Sequence, residues 1–392
     1  MIFYKPYLGI VFVIISIPFE GSINPSEISI YPLEVILVIL ISVCIYKLIM
    51  GTANYFRNTK LVFYYLPFML CILLSSLKFM ELSLTIKEIV RWLELIAVYF
   101  LTINLITDYK RMMVILYSMV LTAVVIAIWG VIGYSGGAIT IDGRHGAYSF
   151  FGHPNALAGY VNLIIPVLFS MLMMCTLLWK RITLGCSIML MIATWFLTFS
   201  KSGWLSLIIT LLLVSLLAKA KKRMVFILAI LTISSVIAFL SSNVRNDLVD
   251  RLQSTYKTIE YRRMSYPVGF NMVRDDLFYG IGVGNYPLLI KEFADASKTP
   301  YLIKTNLHNL YLQIFVEAGI LGICAFVFWL TGIIKYLMSA LKSLEKYRDN
   351  GLFVGLVGGV IVYLFGNLAD VLAVHGIHLQ WGIILGLAVV LT

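Results

Sequence analysis

The residue types able to do chemistry gather around one histidine. His308 stands in "TNLHNLYLQIFVEAGILG", residues 305–322, beside Asn309 and at the head of a long apolar run. A neutral imidazole there can take a proton from a hydroxyl, and its ordinary pKa suits that task. The same ring could instead cap a helix at a water interface. Upstream, "YRRMSY" carries adjacent Arg262 and Arg263. Two neighbouring guanidiniums repel unless an anion or carboxylates neutralise them, and their forked geometry suits phosphate. Lys201, in "LTFSKSGWLS", falls at a tight turn between two apolar segments. It either snorkels to the interface or faces a water-filled cavity and an anionic ligand. Lys87 and Arg91 in "TIKEIVRWLELI" pose the same choice, with intrahelical pairing to Glu88 and Glu94 the favoured outcome. Arg274 adds a further cation in the same long polar stretch as the arginine pair.

The elements that must position these groups are membrane helices. With 61% hydrophobic and 12% charged residues, the chain has too little polar surface to cover a soluble globule. Its apolar runs of roughly 20 residues match the ~30 Å hydrocarbon core of a bilayer, and they do not alternate as barrel strands would. An all-α, polytopic membrane domain is expected over 1–392. Its spans fall at 6–19, 30–50, 61–77, 89–106, 112–133, 156–178, 182–200, 202–218, 224–241, 308–336, 352–372 and 376–392. The N-terminal run lacks a small-x-small cleavage site and reads as a retained first span.

Twelve spans with both ends in the cytoplasm put 16 Lys/Arg and 3 Asp/Glu inside, and leave 14 and 16 elsewhere. That is the positive-inside bias. The net charge of +11 therefore reports topology and attraction to anionic membrane lipids, not nucleic acid. The turn "GIGVGNY" lacks the βαβ setting of a dinucleotide site and reads as a flexible turn. Cys44, Cys71, Cys175, Cys186 and Cys324 all lie in apolar runs, which argues against disulfides or zinc. His375 and His378 have metal-ligand spacing, but only Asp370 is near as a third ligand, so no metal site is assigned. His153 and Asn155 read as structural groups at the start of a span.

Two outer loops stand out, 134–155 and 242–307, the second lying between spans 9 and 10. It is too long for a mere connector. Within it, Val244, Leu248, Leu252, Tyr256 and Ile259 recur at helical spacing, which predicts an amphipathic helix on the membrane surface. A second short helix is expected after Ser265-Tyr266-Pro267.

Four stretches together resemble the O-antigen ligase and O-antigen polymerase family of membrane glycosyltransferases. They are "FFGHPNALAGYVNLIIP", "LTFSKSGWLSLIITLLL", "YRRMSY…FNMVRDDLFYGIGVGNYP" and "LHNLYLQIFVEAGILG". The likeness covers residues 140–340. It implies transfer of a glycan from an undecaprenyl-pyrophosphate-linked oligosaccharide to a glycan or lipid acceptor. No cofactor, nucleotide sugar or metal is implied, and the work is done at the outer face of a bacterial inner (plasma) membrane. His308 matches the family's base. Arg263 matches its loop arginine, with Arg262 as the register alternative, and Lys201 stands where the family usually has arginine. Arg144 in "DGRHG" is a further candidate for the pyrophosphate cluster, and Asn309 for positioning. A flippase and a chain-length regulator are the implied protein partners.

No carboxylate nucleophile is evident beside His308 in the sequence, so a single inverting displacement is the simplest scheme. Glu317 reads as a structural polar group. The alternative from another class is a transporter or flippase of lipid-linked oligosaccharide, which would place ionisable groups near the midplane of repeated halves.

Overall fold

The computed structural model describes residues 1–20, 31–52, 60–137, 139, 145–217, 242–253, 255–296, 306–343, 350–373 and 376–392. Fourteen α-helices are described and, among the described residues, no strand beyond one isolated bridge between Ile139 and His145. In chain order they are α1 Tyr7–Ser16, α2 Pro32–Ile49, α3 Lys60–Ser75, α4 Leu82–Leu105, α5 Tyr109–Ser135, α6 Pro154–Met174 and α7 Leu178–Leu197. They continue with α8 Lys201–Leu217, α9 Ser242–Gln253, α10 Thr255–Met272, α11 Tyr286–Ala296, α12 Leu310–Ser343, α13 Asn350–Gly366 and α14 Ile377–Val390.

Six of the segments are long and apolar enough to cross a membrane: α2, α3 with its 3₁₀ extension to Lys78, α5, α6, α7 and α12. Four shorter apolar helices accompany them, and α4 joins the bundle as a 24-residue helix carrying the Lys87–Arg91 charges. The expected ninth span, 224–241, lies outside the described residues.

α6 lies in the middle of the bundle and is buried along nearly its whole length. α13 approaches it through glycine. A Cβ on Gly355 would sit 2.4 Å from the Ser170 hydroxyl oxygen, and one on Gly358 would sit 2.7 Å from Pro166. In a bilayer, where apolar burial drives no helix pairing, such small-residue contacts let backbones pack closely. On the other flank, Tyr65, Phe68, Trp92, Phe326, Trp329 and Trp381 interlock α3, α4, α12 and α14 at ring-centroid distances of 4.8–6.0 Å.

Three expectations from the sequence need correction. The span placed at 308–336 is a longer helix interrupted at Gly319, whose φ of 68° and ψ of −166° leave the helical region. The break is filled by the "GIGVGNY" turn. The Ile281 and Gly282 N–H groups donate to the Val316 and Glu317 carbonyls, and the Ile320 and Leu321 N–H groups donate to the Leu277 and Phe278 carbonyls, at 2.9–3.3 Å. The turn therefore does not serve as a free linker; its glycines allow backbone to meet backbone. A Cβ at Gly280 would lie 2.6 Å from the Glu317 carbonyl.

Second, the helix expected to begin after Ser265-Tyr266-Pro267 is continuous with the one before it, α10, and Pro267 lies inside it. Pro267 and Arg263, the residue whose carbonyl the proline cannot serve, are both exposed. Of the expected amphipathic stripe, Val244 is buried and Leu248 half-buried, while Leu252 and Ile259 are exposed.

Third, the span placed at 352–372 ends at Gly366. Asn367 stops it: its side-chain amide donates to the Tyr363 carbonyl and its Oδ1 accepts from the Leu372 N–H. The freed segment 367–373 carries Asp370. Loop residues also build a small core of their own over the N-terminal part of α12, from Tyr261, Val268, Tyr286, Ile290, Leu307 and Val316.

Candidate active site

His308 lies just before α12, in a left-handed backbone conformation with φ of 50°. Few residues other than glycine adopt it, and here the surroundings impose it. The Asn306 side chain accepts from the His308 N–H at 3.0 Å. Asn309 caps the helix, its Oδ1 accepting from the Leu312 N–H at 3.0 Å. The Leu310 N–H donates to the Asn367 carbonyl, which ties the helix start to the segment carrying Asp370. The ring of Tyr261, from α10, meets the imidazole edge-on at 5.8 Å.

Asp370 is the group that sequence reasoning considered only as a remote metal ligand. Its Oδ1 lies 3.1 Å from His308 Nδ1 and also accepts from the Val371 N–H at 2.9 Å. Its Oδ2 accepts from the Asn155 side-chain amide at 2.7 Å. Burial works to raise the Asp370 pKa, but the His308 hydrogen bond and charge, the charge of His153 and the Val371 N–H outweigh it and hold it at about 2. The carboxylate is therefore ionised and can only accept, so the proton between it and His308 sits on Nδ1. The imidazole itself is half-buried.

His153 caps α6, its Nδ1 accepting from the Asn155 N–H at 3.2 Å, which frees the Asn155 side chain to hold Asp370. The carboxylate beside His308 removes the stated ground for a single displacement. Both of its oxygens, however, are turned toward His308, Val371 and Asn155.

The arginine pair separates by helix geometry. Consecutive residues point about 100° apart. Tyr261 faces His308, Arg262 donates to the Ala369 carbonyl at 2.5 Å, and Arg263 faces outward, exposed. Arg262 Nε is buried without a partner among the described residues. Arg262 is thus the arginine brought beside Asp370.

Lys201 donates from Nζ to the Arg251 carbonyl at 2.6 Å, and Arg251 donates to the His145 carbonyl at 3.2 Å. His145 in turn bonds Asp247, at 2.8 Å, which also accepts from the Tyr134 hydroxyl at 2.6 Å. The sequence reading missed this second cluster, for which the histidine of "DGRHG" was the available signal. α8 begins close to α6 nonetheless, since a Cβ on Gly203 would meet that of Ala158 at 2.8 Å.

Arg91 pairs with Glu88 at 2.5 and 2.7 Å, the intrahelical pairing expected. Both lie near the buried Glu317, which accepts from the Gln313 amide at 2.8 Å. Lys87 is half-buried on the same helix, and Arg274 is exposed. Arg144 and His375 lie outside the described residues. His378 is buried beside Arg91 in the first turn of α14. Among the described residues no group of three or more His, Cys, Asp or Glu is placed to hold a metal ion, and all five cysteines are free thiols.

Together, the helical bundle of the described residues, with its membrane-length segments, is that of a multi-helix membrane protein, and the His308–Asp370 pair lies at the start of α12. Residues 186–327 match the family model described as O-antigen ligase, so the family resemblance carried by the motifs holds over that stretch. The family is one of glycosyl-transferring enzymes acting on lipid-linked oligosaccharides and their acceptors. Lys201, Arg262, Arg263, Arg274, His308 and Asn309 fall within the matched stretch; Lys87, Arg91, Arg144 and Asp370 fall outside it. No curated protein matches the chain.

Proposed function

We propose that the chain transfers a glycan from an undecaprenyl-pyrophosphate-linked donor to an acceptor hydroxyl at the outer face of a bacterial plasma membrane. The observation that carries this reading is the His308–Asp370 pair. Asp370 fixes the tautomer and orientation of the ring, and Nε2 takes the acceptor proton. The acceptor oxygen bonds to the anomeric carbon as the bond from that carbon to the pyrophosphate oxygen breaks. The electron pair leaves with polyprenyl pyrophosphate. Arg262, whose buried Nε–H has no partner among the described residues, is well placed to meet the developing charge. Lys201, Arg263 and Arg144 remain candidates for the same cluster.

Because both Asp370 oxygens are engaged, the carboxylate serves as orienter and not nucleophile, and the displacement inverts the anomeric centre. Fixed cations can perform the stabilisation that a metal would supply, so the scheme is metal-independent. A twelve-span topology with cytoplasmic termini, supported by the basic short loops, would put the site outside.

A transporter would use an interrupted helix to coordinate cargo with free backbone groups. Here the interruption at Gly319 is filled by the 277–282 backbone, which favours the enzyme. We favour a surface-polysaccharide polymerase over a ligase because no site for a specialised lipid acceptor is recognisable among the described residues. Deleting the chain in its host and identifying the glycan that accumulates tests this. Single repeat units on the outward-facing carrier are expected. Full-length lipid-linked polymer would make it a ligase, and repeat units trapped on the inner leaflet would make it a flippase.

A further inference from the structure

The external loop carries an apolar surface that neither the site nor the small core uses. In the segment leading into the glycine-rich turn, Leu277, Phe278 and Tyr279 are 43%, 62% and 44% exposed. Beside them, in the α3–α4 turn, Leu77, Phe79 and Met80 are 75%, 54% and 49% exposed. The two turns form one surface. Lys78 bonds both Asp276 and the Gly280 carbonyl, and its ammonium lies 5.9 Å from the Tyr279 ring centroid. The buried Asn285 accepts from the Met80 N–H and donates to the Lys78 and Ile281 carbonyls.

This surface is continuous with the outer flanks of two membrane-length helices. α3 exposes Leu70, Leu73 and Leu74 just before the turn, and α12 exposes Leu321 just after its break, then Val327 and Phe328. The Ser75 hydroxyl donates to the Glu317 carbonyl at 2.6 Å, which sets the end of α3 level with the break in α12. Below the break, residues 320–343 span about 36 Å at 1.5 Å per residue, enough to cross the hydrocarbon core without the outer part.

We propose that residues 277–279 and 77–80 insert together into the outer leaflet, so that the external loop is anchored in lipid at this point and does not stand clear of it. The aromatic and aliphatic side chains take the acyl boundary, while Lys78, Asp275, Asp276 and Arg274 lie at headgroup level. The partner is the bilayer itself. Backbone hydrogen bonds are no obstacle, because the Ile281, Gly282, Leu277 and Phe278 main-chain groups are engaged with α12.

Photolabelling of the unmodified full chain in liposomes doped with a phospholipid bearing a diazirine in its acyl chain tests the proposal. Mass spectrometry should find adducts on the peptide holding Leu277–Tyr279 as well as on Leu321–Phe328, and none on the exposed Arg263 region of α10. In a Phe278→Asp variant, labelling of the turn should fall at least several-fold while labelling of Leu321–Phe328 persists, the latter also reporting that the bundle is intact. Labelling of α12 with an unlabelled turn in the parent protein would overturn the proposal. So would crosslinks to a second copy of the chain from a photoreactive amino acid placed at Phe278, which would make the surface a protein interface.

Discussion

At the scale of single residues, the geometry distinguishes neighbours that look alike in sequence. Replacing His308 with Ala should lower the transfer rate by about 10²–10⁴-fold, the usual worth of a general base, while donor binding is kept. Asp370→Asn should cost a smaller part of that factor, because the ring loses its orienting acceptor. Arg262→Ala should reduce turnover more than Arg263→Ala, since only Arg262 reaches the Ala369 carbonyl. Steady-state transfer and donor-binding measurements on these variants check all three.

The Asp370 pKa also has a consequence for stability. Its folded value, about 2, lies below the ordinary 3.8. Its contribution to stability is therefore fully present above the ordinary carboxylate range and is lost as pH falls through about 2. Thermal unfolding of the parent and Asp370→Asn in detergent should show a gap that is constant at neutral pH and closes only in that acid window. His308, Asn309 and the Arg91–Glu88 pair were legible in the sequence because their cues are local. Asp370 was not, because it meets His308 across 62 residues and Asn155 across 215.

At the scale of elements, the decisive features are the interruption of α12 and the turn that fills it. Gly319 adopts a conformation open to glycine alone, worth about 1–3 kcal/mol of strain to any other residue. Its Cβ would also lie 2.2 Å from the Phe278 carbonyl oxygen. Gly319→Ala should therefore lower Tm in detergent and disturb activity, although Gly319 lies ten residues beyond Asn309. Gly185→Ala, at a helical position with nothing within 4 Å of the new Cβ, should be neutral or slightly stabilising. Differential scanning of both variants separates the cases. Helix existence was readable from apolar run length, and most span boundaries shifted by only a few residues. The broken helix was not readable, because a glycine inside an apolar run carries no mark of the backbone that will dock there. The end of α13 at Gly366 was missed for a related reason: Leu368, Ala369, Val371, Leu372 and Ala373 keep the segment apolar on average despite Asn367 and Asp370, so the Asn367 bonds that stop the helix leave no clear mark in the sequence.

At the scale of the whole molecule, charge distribution and site location point the same way. By the positive-inside rule the basic short loops are expected on the cytoplasmic side, and the proposed topology puts the loop carrying Arg262 on the other. Cysteine placed at Arg263 should react with a membrane-impermeant maleimide in intact cells, whereas cysteine at Lys180 should react only after permeabilisation. The reverse pattern would turn the site toward the cytoplasm and remove the basis for an outward glycan transfer.

In the proposed reaction His308, oriented by Asp370, activates an acceptor hydroxyl toward a lipid-linked glycan. The most direct measurement is glycan growth in liposomes holding only the purified full chain and undecaprenyl-pyrophosphate-linked repeat units. The parent protein should extend the glycan and release undecaprenyl pyrophosphate, and His308→Ala, folded and still able to bind donor, should not. Extension at the parental rate by His308→Ala would contradict the account.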